Sequence, residues 1–193
     1  MNTQKIKSVI GSLAKRRPVF HSEADLQFEF AWEIATTTGL PIRLEVPTPG
    51  IGEIDLVIPQ PATAIEFKYK TSKAQMIVGR ETFRLSQHAA QPLGRYDVLK
   101  DLWRIEKAGL GGYVFFLTND SSYWRPCQNG NGSAFSLEQG RQIHGRMSWK
   151  DTSNKKSLGA ERIAPINISG HYCCDWNDYS FEGKFRYLLF SIA

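Results

Sequence analysis

The chain has few of the residues that build disulfide or zinc sites. Its three cysteines, Cys127, Cys173 and Cys174, form no C-x-x-C pair and have no nearby histidine at zinc-ligand spacing. The four histidines are scattered, without a second ligand at a characteristic distance along the chain. We therefore expect free thiols, and we expect no disulfide framework, zinc cluster or histidine-based nucleophile.

Long apolar runs and nucleotide-binding loops are also missing. No stretch approaches the roughly 20 apolar residues that a membrane-spanning helix needs. The first residues, MNTQKIKSVI, lack the apolar segment and cleavage site of a secretory signal. The chain contains no G-x-x-x-x-G-K-[ST] loop, so nothing in it indicates an ATPase. We expect a cytoplasmic protein without a membrane partner.

Length and composition favour one domain. Of the 193 residues, 41% are hydrophobic and 12% aromatic, which is enough for one sizeable core. We expect a single domain over residues 1–193, with a core at about 20–118 that a C-terminal strand completes. Residues 119–160 are rich in Gly, Ser and Asn and predict an irregular or hairpin-bearing insertion. The net charge of +5 and the pI near 9.1 permit binding to a polyanion without requiring it.

Apolar spacing predicts three helices. Residues 1–20 form an amphipathic pattern with basic residues around it. The next helix follows Ser22, a good N-cap with acidic residues directly after it, and stops at Gly39. Residues 73–91 are polar and predict a partly helical region. The third helix occupies 93–108, where an apolar stripe at helical spacing ends in a glycine-rich segment.

The sequence also predicts strands rich in β-branched and aromatic residues, at 42–46, 52–58, 63–70, 112–118 and 185–192. Proline and glycine separate the first three, which therefore predict a meander. The run 112–118 is almost continuously apolar, as is typical of a strand covered on both faces. A helix followed by such a strand predicts an α/β fold built of packed layers.

Three charged residues lie on two adjacent predicted strands. Because side chains alternate along a strand, Glu66 and Lys68 share one face of the third strand. Asp55 interrupts an apolar run on the strand before it, although aspartate is disfavoured in strands. A hairpin whose turn centres between Gln60 and Pro61 would place Asp55 directly opposite Glu66.

Two facing carboxylates call for a compensating cation. Like charges directly opposite in a sheet destabilise it by about 0.2–1 kcal/mol. Carboxylate and carbonyl oxygens suit Mg²⁺, or Mn²⁺ as a substitute, and these metals are also held by substrate phosphate. The alternative is that Glu66 and Lys68 belong to an ordinary solvated strand face, with Asp55 as a turn or edge residue.

The pattern of Asp55 followed by Glu66-Phe67-Lys68, after a helix that carries Glu23, resembles the active site of the PD-(D/E)XK phosphodiesterase superfamily. This superfamily includes restriction endonucleases, Holliday-junction resolvases and repair exonucleases. The resemblance covers roughly residues 22–70, and 94–118 fit the next elements. It implies a restriction-endonuclease-like core, in which helices flank a central mixed β-sheet. Isoleucine stands where the superfamily pattern often has the proline of its name.

The resemblance also implies roles for the residues of the motif. Asp55 and Glu66 would be metal ligands, and Phe67 would supply a ligating backbone carbonyl. Lys68 would orient the attacking water or help to deprotonate it. Glu23 would add a helix carboxylate for the metal or its waters.

Glu29 is a rival for the role of Glu23. Helical spacing places Glu23 at the edge of the face that must meet the core, whereas Glu29 and Glu33 lie nearer the opposite side. We therefore favour Glu23.

These inferences predict a Mg²⁺-dependent nuclease, with DNA favoured over RNA as the substrate because the superfamily mostly cuts DNA. The alternative function is a nucleic-acid-binding or assembly module that keeps the fold without turnover. An intact set of Asp55, Glu66 and Lys68 favours the enzyme, because unshielded carboxylates would repel phosphate. Cleavage at ends or within a strand, and one metal or two, both stay open.

Several basic residues are candidates for contact with nucleic acid. The helix from Gly94 carries Lys100 and Arg104 opposite its apolar stripe, and Arg95 and Tyr96 near its start. The stretch 141–156 is also basic and contains a tryptophan that could stack on a base. Solvated surface is the alternative for each. A chain of this size leaves little room for a recognition domain, so specificity would be low or would come from a homodimer or a protein partner.

Overall fold

Four α-helices and ten β-strands form the described part of the chain, which in this computed structural model comprises residues 1–127, 130–153 and 155–193. The helices are α1 (Thr3–Arg16), α2 (Glu23–Thr38), α3 (Gln91–Ala108) and α4 (Lys155–Leu158). The strands are β1 (Arg43–Thr48), β2 (Gly52–Ile58), β3 (Thr63–Lys70), β4 (Ala74–Val78), β5 (Glu81–Leu85), β6 (Gly112–Thr118), β7 (Gln142–Met147), β8 (Ile166–Cys173), β9 (Trp176–Ser180) and β10 (Phe185–Ile192). Single turns of 3-10 helix occur at Ser121–Tyr123, Ser133–Phe135 and Ala160–Arg162.

A mixed six-stranded sheet forms the centre of the fold, in the order β1-β2-β3-β6-β10-β9. Strands β3 and β6 are parallel, and every other neighbouring pair is antiparallel. The connection between the two parallel strands contains the two-stranded sheet β4-β5 and helix α3. The predicted α/β class with a mixed sheet and flanking helices is therefore confirmed.

Apolar layers cover both faces of this sheet. On one face, α1 and α2 pack on alternate residues of the central strands, among them Phe67 and Phe115. On the other face, α3 and the β7-β8 pair pack on Val114 and Phe116. All seven residues of β6 are buried, as its apolar sequence predicts. The central strands therefore lie between two covering layers, one of α1 and α2 and the other of α3 with β7-β8.

Most predicted elements agree with the structure. Strands β2, β3, β6 and β10 have the predicted bounds. Helix α2 begins after Ser22, whose hydroxyl accepts a hydrogen bond from the Asp25 N–H, and ends at Gly39 in the left-handed conformation. No helix in the described ranges is both long and apolar enough to cross a membrane.

The prediction of a partly helical region at 73–91 is wrong. Strands β4 and β5 form an antiparallel hairpin there, with Val78 paired with Glu81 across Gly79 and Arg80. Phe83 and Leu85 alternate with exposed residues and join the apolar layer under α2. This tertiary packing outweighs the polar composition of the segment.

The predicted insertion at 119–160 is mostly irregular, but its strand does not form a hairpin of its own. Strand β7 pairs with β8, which lies beyond the insertion. Strands β8 and β9 were not predicted. Residues 128, 129 and 154 of the insertion lie outside the described residues.

The parallel pair β3-β6 makes Gly112 intolerant of a side chain. A Cβ at Gly112 would collide with the backbone of Ala64, its partner on β3. We expect Gly112→Ala to lower the free energy of unfolding by about 1–3 kcal/mol, measured by urea denaturation.

Gly11→Ala is the matched control. Gly11 is exposed on α1, and a Cβ there would meet nothing within 4 Å. Alanine at this helical position should raise the free energy of unfolding by about 0.5–1 kcal/mol. Equal effects of the two substitutions would contradict the close approach of β3 and β6.

Candidate active site

The predicted acidic residues converge where β2 separates from β3. The two strands pair from Ile58 to Leu56, in the register predicted from the Gln60–Pro61 turn. The strand ladder ends at Leu56, and the Asp55 carboxylate accepts a hydrogen bond from the Phe67 N–H at 2.7 Å. The Asp55 side chain therefore satisfies a donor of β3 and lies beside the residues that follow Ile65.

Glu66 lies at the centre of the site and is 0% exposed. Neither of its carboxyl oxygens has a hydrogen-bond partner in the described part of the chain. The nearest cation is Arg104, whose Nη1 lies 3.1 Å from Oε1 without donating to it. Burial, with added repulsion from Asp101 and Asp55, raises the pKa of Glu66 to about 10. In the absence of a further cation, this carboxyl group therefore holds a proton at neutral pH.

Lys68 shares the face of Glu66, as alternation along β3 predicts. Its Nζ donates to the carbonyl of Phe67 at 2.9 Å and lies 2.7 Å from Asp101 Oδ2. Glu23 Oε1 lies 4.0 Å from the same nitrogen. Burial alone would lower the pKa of Lys68, but the carboxylates of Asp101 and Glu23 raise it above the ordinary value. Lys68 is therefore a protonated, hydrogen-bond-donating group.

Glu23 is the first residue of α2, and its side chain reaches the end of β3. Its Oε2 accepts a hydrogen bond from the Tyr69 N–H at 2.6 Å. Burial raises the pKa of Glu23, and Lys68 opposes that shift. Glu29 instead forms an ion pair with Arg16 at 2.6 Å. The structure thus brings Glu23 to the site and leaves Glu29 on the α1 side of its helix.

Two residues of α3 complete the site, and sequence reasoning missed the first of them. Asp101 is 4% exposed and contacts both Lys68 and Arg104. One signal was present, because Asp101 falls at helical spacing between the apolar residues Val98 and Ile105. An acid within an apolar stripe needs a partner in the core.

Arg104 has a different role from the predicted one. Its Nε donates to the carbonyl of Ile51 at 3.2 Å, and its Nη2 donates to the carbonyl of Glu53. Its Nη1 donates to Asp101 Oδ1 at 3.1 Å. Arg104 therefore joins α3 to the start of β2, and its hydrogen bonds are made within this chain.

The predicted nucleic-acid contacts near the start of α3 do not fit the structure. Arg95 is 5% exposed, and its guanidinium donates to Ser122 O at 2.6 Å. Tyr96 is 1% exposed and stacks on Trp149, which is itself buried. Lys100, farther along α3, is half-buried and donates to the carbonyl of Glu161 at 3.1 Å, and its predicted contact with nucleic acid stays a prediction. Packing of α3 against the 119–164 segment thus removes Arg95, Tyr96 and Trp149 from the surface.

The oxygen atoms of the site match the ligands that Mg²⁺ prefers. Asp55, Glu66 and the carbonyl of Phe67 are brought together, and Glu66 has two buried oxygens with no hydrogen bond. No group of three or more His, Cys, Asp or Glu side chains is already placed around one point in the described ranges. Mg²⁺ usually takes only one or two protein carboxylates and keeps waters and phosphate as its other ligands. The donor set therefore fits such a metal.

Comparison with known proteins gives no match: no protein-family model, no curated protein and no solved structure matches this chain.

Glu66→Gln should stabilise the protein in EDTA. Because folding raises the pKa of Glu66 above the ordinary value of 4.5, the wild type loses stability as the pH rises from that value towards about 10. The neutral amide avoids this loss. We expect the Tm of Glu66→Gln to exceed that of the wild type at about pH 8. In a chain of this size, a gain of about 1 kcal/mol in the free energy of unfolding raises the Tm by about 2–4 °C. The difference should shrink as the pH approaches 4.5.

Glu182→Gln is the control, because Glu182 is exposed on the turn before β10. It should leave the Tm unchanged at both pH values. A Glu66→Gln variant less stable than the wild type at about pH 8 would contradict a buried, protonated carboxyl group.

Proposed function

We propose that the protein is a divalent-metal-dependent phosphodiesterase that hydrolyses nucleic acid. The observation that carries this proposal is the fully buried Glu66 carboxyl group, without a hydrogen bond and surrounded by Asp55, Lys68 and Asp101. A buried acid whose oxygens accept no hydrogen bond is costly to keep, even beside the Arg104 guanidinium, and calls for a ligand. The preference for DNA over RNA rests on the resemblance to the PD-(D/E)XK superfamily.

The order of elements supports a restriction-endonuclease-like core. Helix α2, the meander β1-β2-β3, helix α3 and the parallel strand β6 follow one another around the charged cluster. Asp55 lies on β2, and Glu66 and Lys68 lie on β3, which is the arrangement that the resemblance implies.

The charge balance of the site supports a doubly charged cation. The site contains six ionisable side chains: the acids Glu23, Asp55, Glu66 and Asp101, and the cations Lys68 and Arg104. Four carboxylates against two cations leave an excess of two negative charges when all are ionised. One divalent metal would offset that excess and allow Glu66 to lose its proton.

Asp55, Glu66 and the carbonyl of Phe67 would hold the metal, with Glu23 near its bound waters. When bound, Mg²⁺ or Mn²⁺ supplies Lewis-acid polarisation of the phosphate and a more acidic bound water. Lys68 donates hydrogen bonds from a fixed position and can orient a water or a phosphate oxygen. Because it is protonated here, Lys68 acts as a donor and does not take up a proton.

Asp101 and Arg104 act as positioning residues in this scheme. Asp101 Oδ2 lies 2.7 Å from the ammonium nitrogen of Lys68, closer than Glu23 Oε1 at 4.0 Å, and holds that group in place. Arg104 fixes α3 to the residues that precede Asp55. Both interactions limit the movement of the groups that face the substrate.

One observation favours the alternative function, a nucleic-acid-binding module without turnover. The guanidinium of Arg104 already lies beside Glu66 and Asp101, where it offsets part of their charge. Such a contact would let the fold persist without a metal. Direct measurement of cleavage separates the two functions.

We expect the purified protein to cut nucleic acid in Mg²⁺ or Mn²⁺ and to lose this activity in EDTA. The substrates should include labelled linear, circular, single-stranded and branched DNA, and RNA. Lys68→Ala removes a donor to the reacting groups, and we expect cleavage to fall by about 100-fold or more. Asp55→Asn should also inactivate the protein, because it removes charge but keeps an acceptor for the Phe67 N–H.

Lys15→Ala is the matched control, since Lys15 is exposed near the end of α1 and lies away from the site. It should cleave like the wild type. If the wild type binds nucleic acid and cuts none of these substrates in either metal, the binding module is the better proposal. Cleavage that persists in Lys68→Ala would place the active site elsewhere.

A further inference from the structure

A cleft of about 240 Å³ adjoins the candidate active site on the side of Glu23. The start of α2 forms one wall with His21, Ser22 and Glu23. The end of β3 and the base of the β4-β5 hairpin form the other wall with Lys70, Arg84 and His88. Glu23 belongs to both places, so a ligand in the cleft would lie next to a ligand at Glu66 and Lys68.

Two cations of this cleft form no ion pair. Lys70 and Arg84 make no ion pair and no side-chain hydrogen bond within the described ranges, although the Glu23 carboxylate on the cleft wall attracts Lys70 at longer range. Arg17, by contrast, lies 3.0 Å from Asp25 and 2.7 Å from Glu81. The chain therefore satisfies basic residues on the nearby surface and leaves these two available in a concave site. Unpaired cations in a cleft attract an anion.

His88 adds a fixed neutral donor. The ring Nδ1 of His88 accepts a hydrogen bond from the Thr71 N–H at 2.9 Å, and the backbone N–H of His88 donates to the backbone carbonyl of Thr71 at 2.7 Å. With Nδ1 as the acceptor, the proton of a neutral ring lies on Nε2. Burial and the charge of Lys70 lower the pKa of His88, which favours that neutral ring. The Nε2–H has no partner in the described part of the chain and can donate to a ligand.

This combination fits a phosphodiester group. Two cations and an N–H donor suit one negative charge spread over two non-bridging oxygens. Lys70 follows Lys68 by two residues on the same face of β3, so the two lie roughly 6.6 Å apart along the strand. That separation is of the order of one nucleotide step.

We propose that Lys70, Arg84 and His88 bind the backbone phosphate next to the scissile one, and that this cleft positions the substrate strand at the candidate active site. The proposal rests on the proposed function, because it takes the group at Glu66 and Lys68 to be a phosphodiester. It assigns the β4-β5 hairpin, which sequence reasoning missed, to substrate binding.

Salt dependence of binding tests the proposal without catalysis. A fluorescein-labelled single-stranded oligothymidylate is titrated with protein in EDTA, by anisotropy, at salt concentrations from about 50 to 200 mM. The double variant K70A/R84A should bind more weakly, and its plot of log affinity against log salt should be less steep by about 0.7 for one lost phosphate contact. R80A removes one cation from the turn of the same hairpin, outside the cleft, and should keep the wild-type slope. R84A and R80A each remove one positive charge, and R84A should bind the oligonucleotide more weakly than R80A.

Inorganic phosphate is the second probe. We expect it to shift the ring NMR signals of His88 in the wild type and to leave them unchanged in K70A/R84A. If K70A/R84A keeps the wild-type salt slope and phosphate does not move His88, the cleft is not a phosphate site, whatever the cleavage assay shows. If both binding effects appear but the wild type cuts nothing in Mg²⁺ or Mn²⁺, the cleft stands and the proposed hydrolysis fails.

Discussion

Burial of the Glu66 carboxyl group is the constraint on which the rest of the candidate site depends. Strand β3 lies inside the sheet, with β2 on one side and β6 on the other, so its alternate side chains must enter one of two covered layers. Glu66 enters the layer under α3 and faces Val114 across the strand pair. An acid in such a place needs compensating groups from the elements above it. Asp101 and Arg104 of α3 are therefore part of the same arrangement as the motif residues.

The resulting cluster holds several secondary-structure elements together. Asp55 bonds to β3, Glu23 joins α2 to β3, and Arg104 joins α3 to β2. Each of these contacts uses a charged side chain to satisfy a backbone group, in a region where the strand ladder has ended or the helix begins. Charge-assisted hydrogen bonds of this kind are stronger than neutral ones. The groups proposed for chemistry are thus also groups that fix the relative position of the elements.

Features that depend only on short segments of the sequence could be predicted from it. The caps of α2, the bounds of β3 and the register set by the Gln60–Pro61 turn follow from punctuation and alternation within short segments. The motif residues were found for the same reason. The β4-β5 hairpin was missed because its composition is mostly polar. Its apolar residues Phe83 and Leu85 become buried only when the chain folds back and packs under α2.

The partners of α3 could not be predicted from periodicity, because they depend on distant segments. Spacing predicts Arg104 and Lys100 opposite the apolar stripe, but it does not show that loop carbonyls accept hydrogen bonds from both or that Arg104 pairs with buried Glu66. Tyr96 is buried by Trp149, which lies more than fifty positions later in the chain. Exposure on a helix is therefore a property of the whole fold.

The position of Glu23 has a thermodynamic consequence. Its carboxylate forms a wall of the cleft and lies beside Lys68, so both places share one titratable group. An anion in the cleft would favour the protonated form of Glu23, whereas a cation at Glu66 would favour the ionised form. Because the two ligands favour opposite forms of one titratable group, the linkage through Glu23 is negative, and through this group each ligand would weaken the binding of the other. By reciprocity, each would do so by the same factor.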